Sequence, residues 1–288
     1  MVAELPLKQW FLASRPLSWV NTAYPFFITY LLTAGWDATL IVGTLFFLIP
    51  YNFALYGVND VFDYASDQAN PRKGGIEGAV LEPRFHTGTL LAAGLSSLPF
   101  LIFLIAVGDR ASWLVLALSM FALLAYSVPV LRFKERPFVD SATSSFHFVS
   151  PAWYGLVLAG SPLQPGIIMA LIAFFLWGIA SHAFGAVQDI LPDRQAGIAS
   201  IATVLGARWT VRFAIVSWIL AGAAASALGW PAMLSGLLVL PYILAASPFA
   251  NIADEQSAAV NRGWKRFLAL NYLSGFLLTM LIIAIWLG

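Results

Sequence analysis

Apolar runs of about twenty residues recur along the whole chain, and twenty residues is the length a helix needs to cross the hydrocarbon core of a bilayer. Nine such runs stand at roughly 16–35, 39–62, 87–107, 111–130, 139–160, 166–189, 210–229, 231–250 and 267–287. The chain is 60% hydrophobic and 10% charged, with a mean hydropathy of +0.82, far above what a soluble globule tolerates. In lipid every backbone N–H and C=O must be bonded within the protein, which leaves helices or a closed barrel. The short alternating segments of a barrel are absent. The expectation is an all-α polytopic membrane protein, with nine transmembrane helices in one bundle and a single domain over 1–288.

Charge orients the chain. With nine spans the loops alternate between two faces, and fourteen of the fifteen Lys and Arg residues fall on one face, leaving only Arg110 on the other. Basic loops stay inside. The N-terminus and the longer connections at 63–86, 131–138, 190–209 and 251–266 are therefore expected in the cytoplasm, and the C-terminus outside the cell membrane. The opening "MVAELPLKQWFLASRP" is amphipathic and is expected to lie on the membrane surface rather than act as a cleavable signal. A net charge of +1 gives no field suited to nucleic acid. The absence of cysteine excludes disulfides and thiolate metal ligands.

Function is expected on the cytoplasmic side, where acids gather. "NDVFDYASD" ends the second span and "DILPD" ends the sixth. At 100° per residue, Asn59, Asp60, Asp63 and Asp67 fall within about 100° of arc, with Asn52 and Tyr56 deeper on the same face. Asp189 and Asp193 share a face above Gly185 and His182. An acid at a helix end is ordinarily a solvated cap. Two sets at the same spacing, four spans apart, point instead to bound cations, and they hint at a diverged duplication of spans 2–5 and 6–9. All-oxygen ligation favours Mg²⁺ or Mn²⁺, and magnesium is usually shared between a few carboxylates and a substrate phosphate. Arg72, Lys73 and Arg194 suit the phosphate oxygens. The inferred ligand is a diphosphate bridged to the protein by metal.

Other residues admit two readings each. Arg15 is either a snorkelling interfacial arginine or a diphosphate contact. Arg132, Lys134 and Arg136 serve as topology markers, with Arg132 or Lys134 in reach of the site. Tyr126 is either an interfacial aromatic or a pocket residue. His147, in a stripe with Asp140, Ser144, Pro151 and Tyr154, is either a hydrogen-bonded structural residue or a proton-transfer group, and His182 divides the same way. The run "AGAAASALG" reads as close helix packing.

"NDVFDYASD" resembles the N-D-x-x-D-x-x-x-D motif of the UbiA-type intramembrane prenyltransferases, and "DILPD" resembles their second aspartate motif. The resemblance covers the whole chain. "RPLSWVNTAYPF", "NDVFDYASDQANPRKGGIEGAV", "LRFKERPFVD" and "FGAVQDILPDRQAGIASIATVLGAR" are most similar to the lycopene elongases within that family. The resemblance implies a UbiA-like fold and Mg²⁺ held by Asn59, Asp60, Asp63, Asp67, Asp189 and Asp193. It implies dimethylallyl diphosphate as donor, contacted by Arg15, Arg72, Lys73, Lys134 and Arg194. The acceptor is a lipophilic polyene, lycopene, in a pocket that includes Asn52, Tyr56, Tyr126, His147 and His182. Membrane lipid and other carotenoid enzymes are the further partners it implies. An aromatic acceptor, as in quinone or haem side-chain synthesis, would use the same metal site. A transporter would place its ionisable groups near the bilayer midplane.

Overall fold

The structure, a computed structural model of the chain, describes residues 6–64, 68 and 80–288. Every regular element among them is helical. The principal helices are α1 (Leu7–Ala13), α2 (Trp19–Ala34), α3 (Ala38–Leu48), α4 (Pro50–Phe62), α5 (His86–Val107), α6 (Arg110–Ser127), α7 (Val139–Leu158), α8 (Pro165–Ala186), α9 (Ile190–Gln195), α10 (Ile201–Ser226), α11 (Leu240–Ala246) and α12 (Asn261–Leu287). They divide into two compact units, residues 1–133 with 146–162, and residues 134–145 with 163–288.

Among the described residues seven helical segments are long and apolar enough to cross a membrane. They match seven of the nine expected spans. The expected first and fifth spans are helices too, but α2 has only 16 residues, and α7 is loaded with polar side chains. Asp140, Ser141, Thr143, Ser145, His147 and Ser150 on α7 are all buried, so its polarity faces protein rather than lipid. Outward-facing positions follow the opposite rule: Leu95 is 67% exposed and Ile102 60% exposed, as lipid-facing side chains must be.

Short polar signals set the helix starts. Asp37 Oδ1 accepts the Leu40 N–H at 2.8 Å, capping α3. Asp109 and Ser112 form a reciprocal capping box on α6, each side chain bonded to the other's backbone N–H at 2.8 Å.

The first unit is built on an aromatic core. Phe26 and Tyr30 of α2 stack at 5.6 Å between ring centroids, and Phe26 also meets Phe47 of α3 at 5.3 Å and Tyr154 of α7 at 6.0 Å. The expected second span is broken here into α3 and α4. Pro50 has no N–H to return to the carbonyl four residues back, and its ring crowds that carbonyl. The freed carbonyls are collected by a side chain. Asn52 Nδ2 donates to the carbonyls of Phe47 at 2.8 Å and Leu48 at 3.1 Å, and to Thr22 Oγ1 at 2.7 Å. Thr22 donates in turn to the Phe47 carbonyl at 2.7 Å. Asn52 is fully buried. Its amide nitrogen is occupied in holding the break together.

The second unit packs α8 against α10 through small residues, Ala180 and Ala183 facing Ala207, Val211 and Ala214. Trp218, Tyr242 and Phe267 close its aromatic centre, with Trp218 and Tyr242 stacked at 5.8 Å. Ala221 and Ala225 of the small-residue run are buried, and Gly222 lies against Val239 and the Gly236 carbonyl, which is the close packing expected.

Asn52→Leu would leave the Phe47 carbonyl with only Thr22 and the Leu48 carbonyl without its amide donor. A destabilisation of about 1–3 kcal/mol is expected, read as a lower thermal transition of the purified protein. An unchanged transition would mean the break needs no side-chain support.

Candidate active site

The first aspartate motif sits at the C-terminal end of α4. Helix dipoles make this the wrong end for anions, because the last carbonyls already point there. The fold answers with two arginines from distant parts of the chain. Arg15 Nη2 lies 3.0 Å from Asp60 Oδ1, and Asp60 is fully buried. The same guanidinium stands 4.4 Å from the centroid of the Tyr56 ring, a cation–π arrangement. Arg132 Nη2 lies 3.6 Å from Asp63 Oδ1. Asn59 Nδ2 donates to Asp63 Oδ2 at 2.7 Å, and the Asp63 N–H, just past the helix, bonds the Asn59 carbonyl at 2.9 Å.

Both arginines have left-handed backbone, with φ of 50° at Arg15 and 41° at Arg132. Such a conformation costs a residue with a Cβ roughly 1–2 kcal/mol, and residues held this way gather at functional sites. The structure thus turns Arg15 inward, and assigns to Arg132 a role that the sequence presented chiefly as topology. Tyr56 serves as the platform for Arg15. Asp67, Arg72 and Lys73 lie outside the described residues.

About 13 Å back along α4 from Asp60, at 1.5 Å per residue, a second polar group is buried. Tyr51 OH and His147 Nδ1 stand 3.3 Å apart, and the Tyr126 ring meets the imidazole edge-on at 5.4 Å. His147 thus has a hydrogen-bonding partner, and Tyr126 packs on it as a neighbour within the unit.

The second motif, in the other unit, is built differently from the expectation. A single α-helical face was expected to carry His182, Gly185, Asp189 and Asp193. Instead α8 stops at Ala186, a 3₁₀ turn spans Val187–Asp189, and α9 begins at Ile190. Pro192 is the cause: it has no N–H to offer the Gln188 carbonyl, so α8 cannot run on, whereas proline is tolerated in the first turn of a new helix. Asp189 becomes the N-terminal flanking residue of α9 and Asp193 sits in its first turn. This end of a helix favours anions. His182 Nδ1 lies 3.0 Å from Ser141 Oγ.

Arg194 also departs from expectation, which set it against phosphate. Its Nη1 lies 2.7 Å from Asp254 Oδ2 and its Nη2 donates to the Thr203 carbonyl at 2.9 Å. Asp254 Oδ1 accepts the Ala207 N–H at 2.6 Å, just beyond Gly206, where φ of 76° kinks α10. Arg194 therefore ties α9 to that kink. Asp140 is a further buried acid with a structural role: its oxygens accept the N–H groups of Ser141 and of Ile201, both at 2.7 Å, the latter at the start of α10. Lys134 lies in the 3₁₀ turn Phe133–Glu135, two residues beyond Arg132.

Among the described residues no three carboxylates or histidines gather at metal-binding spacing; Asp67 falls outside that set. The donors that are described, Asn59 with Asp60 and Asp63 in one unit and Asp189 with Asp193 in the other, are all oxygen. That chemistry fits a hard divalent cation such as Mg²⁺.

Residues 22–271 match the model of the UbiA prenyltransferase family. The chain is 52% identical over 95% of its length to a C(50) beta-cyclic carotenoids biosynthesis protein of Dietzia sp., of which it spans 64%. It is 51% identical over 95% of its length to a lycopene elongase/hydratase of Corynebacterium glutamicum, spanning 96% of that protein. A solved UbiA homolog from Archaeoglobus fulgidus, bound to DMAPP and Mg²⁺, superposes with a TM-score of 0.67 at 16% identity, over 92% of this chain and 98% of that one. The two aspartate motifs, the helical architecture and these matches lead to one conclusion: the chain is a multi-pass membrane protein that belongs to the UbiA prenyltransferase family.

Proposed function

We propose that this protein is a lycopene elongase, transferring dimethylallyl units from dimethylallyl diphosphate to the ends of lycopene. The observation that carries the reading is the 51% identity, over 95% of this chain, to a protein named for that activity. The distribution of Lys and Arg supports a cytoplasmic N-terminus and cytoplasmic loops bearing the aspartate motifs.

Asn59, Asp60, Asp63 and Asp67 on one motif, and Asp189 and Asp193 on the other, are the residues to hold Mg²⁺. A magnesium ion held by these oxygens supplies charge neutralisation as the allylic C–O bond breaks and diphosphate leaves. Arg15 pairs with Asp60 and orients it. Arg72, Lys73, Arg132 and Lys134 are the cations available to the diphosphate oxygens. The allylic cation so formed is attacked by a terminal double bond of lycopene, which makes the new C–C bond and leaves a tertiary cation on the product. Water then adds to that carbon and a proton departs, an outcome that the elongase/hydratase name of the relatives favours over loss of a proton alone.

An aromatic acceptor would need hydrogen-bonding groups deep in the spans. Asn52 Nδ2, His147 Nδ1 and His182 Nδ1 each have a protein partner. A forty-carbon polyene asks for none of them. Being longer than the ~30 Å hydrocarbon core, it would enter from the side with its far end left in lipid.

Stripping divalent metal with EDTA should abolish turnover, and Asp63→Asn or Asp189→Asn should each lower it by about 100-fold or more while the protein stays folded and inserted. Near-wild-type activity in either variant would remove that motif from the metal site. Lys73→Ala should raise the KM for dimethylallyl diphosphate and leave that for lycopene nearly unchanged; the reverse pattern would contradict a phosphate role.

Lycopene-producing cells expressing the protein should accumulate a forty-five-carbon product and then a fifty-carbon one, because lycopene has two equivalent ends. Prenylation of an aromatic precursor with lycopene untouched would leave the enzyme class standing and overturn the acceptor.

A further inference from the structure

A groove of about 770 Å³ opens on the second unit between the 3₁₀ turns that follow α11 and the start of α12. Arg262 and Arg266 line it, one helical turn apart, with Asn251 and Gln256 as neutral hydrogen-bonding groups and Phe249 and Ile252 as apolar wall. Among the described residues neither guanidinium makes an ion pair or hydrogen bond, and both arginines are exposed. The adjoining turn carries two acids: Asp254 is already bonded to Arg194 and the Ala207 N–H, and Glu255 is exposed and does not line the groove.

The walls are fixed. Gly263 lies so close to Phe249 and Phe184 that an added Cβ would stand 2.6 and 2.8 Å from their rings, which seats the start of α12 against the groove floor. Trp264 stacks on Phe267 at 4.8 Å. Arg212 holds the opposite side, its Nε donating to the Ala250 carbonyl at 3.0 Å and its Nη2 to Asn251 Oδ1 at 2.6 Å. Beyond Arg266, α12 is apolar almost to its end, and Leu244, one turn before Pro248 on the other rim, is 70% exposed. Trp209, whose ring lies 4.9 Å from the Arg212 guanidinium, is exposed beside it, as interfacial aromatics are at headgroup depth.

We propose that this groove binds an anionic phospholipid, its phosphate held between Arg262 and Arg266 and its acyl chains laid along the apolar surface below. Guanidinium forks match phosphate oxygens in pairs, and the cationic groove adjoins the apolar surface of α12. The proposal does not depend on the acceptor or the metal chemistry. If the arginines only set topology, any cation at this end of α12 would do as well, and Lys265 supplies the comparison. It lies between them in sequence, is exposed, and does not line the groove.

The test is native mass spectrometry of the purified full-length protein titrated with phosphatidylglycerol or phosphatidylcholine. The wild type should retain one phosphatidylglycerol in preference to phosphatidylcholine. Arg262→Ala with Arg266→Ala should weaken that binding about tenfold or more, while Lys265→Ala leaves it unchanged and millimolar inorganic phosphate fails to displace it. If the alanine pair does not fold, Arg262→Lys with Arg266→Lys decides, since it keeps the charge and loses the paired geometry, and severalfold weaker binding is expected. Equal retention of both lipids, an equal loss in Lys265→Ala, unchanged binding in the lysine pair, or displacement by inorganic phosphate would each overturn the proposal.

Discussion

A carboxylate buried at the end of an apolar helix must be neutralised, and the first unit is arranged around that need. Asp60 is fully buried, and a charge left alone there would cost several kcal/mol. Arg15 meets it at 3.0 Å. To do so the chain between α1 and α2 takes a left-handed turn at Arg15, and Tyr56 is placed beneath the guanidinium. Arg132 repeats the device at Asp63, again from left-handed backbone. Removing the acids would be the cheaper way to stabilise such a helix end. That they are present, with cations brought from 45 and 69 positions away in the sequence to match them, supports the proposed role of this helix end in chemistry.

The two motifs solve the same electrostatic problem by different local means. The first stands at the C-terminal end of α4, against the helix dipole, and depends on arginines. The second flanks the N-terminus of α9, where the dipole already favours negative charge. Pro192 creates that second end by stopping α8, as Pro50 separates α3 from α4. Proline thus sets the local frame of both motifs, once by breaking a span nearly three turns before Asp60 and once by starting a new helix among the acids.

Much of this was legible in the sequence. Apolar runs of membrane-spanning length marked where the helices would lie, because the bilayer fixes that length, and the spacing of the aspartates marked the functional end. The two proline breaks were also present in the letters, but their consequence was not. Whether an apolar run with an internal proline bends or restarts depends on which side chains are near enough to take the freed carbonyls, and for Pro50 that is Asn52 together with Thr22, from another helix. Partner choice was hidden for the same reason. Arg194 adjoins Asp193 in sequence, yet it pairs with Asp254, sixty positions on. Arg132 read as one of three cations in a loop, and only the fold brings it to Asp63. The fifth span was legible as a helix, although its buried Asp140, Ser145 and His147 keep its hydropathy below that of a lipid-facing segment.

The central claim is that the first motif, paired with two arginines, receives a metal-bound diphosphate. The most direct test is the thermal transition of the purified protein with dimethylallyl diphosphate, in Mg²⁺ and in EDTA. Donor at 100 times its dissociation constant should stabilise the fold by about 2.7 kcal/mol, only when the metal is present, and Asp60→Asn should lose the effect. An equal shift in EDTA, or an undiminished one in Asp60→Asn, would contradict the account.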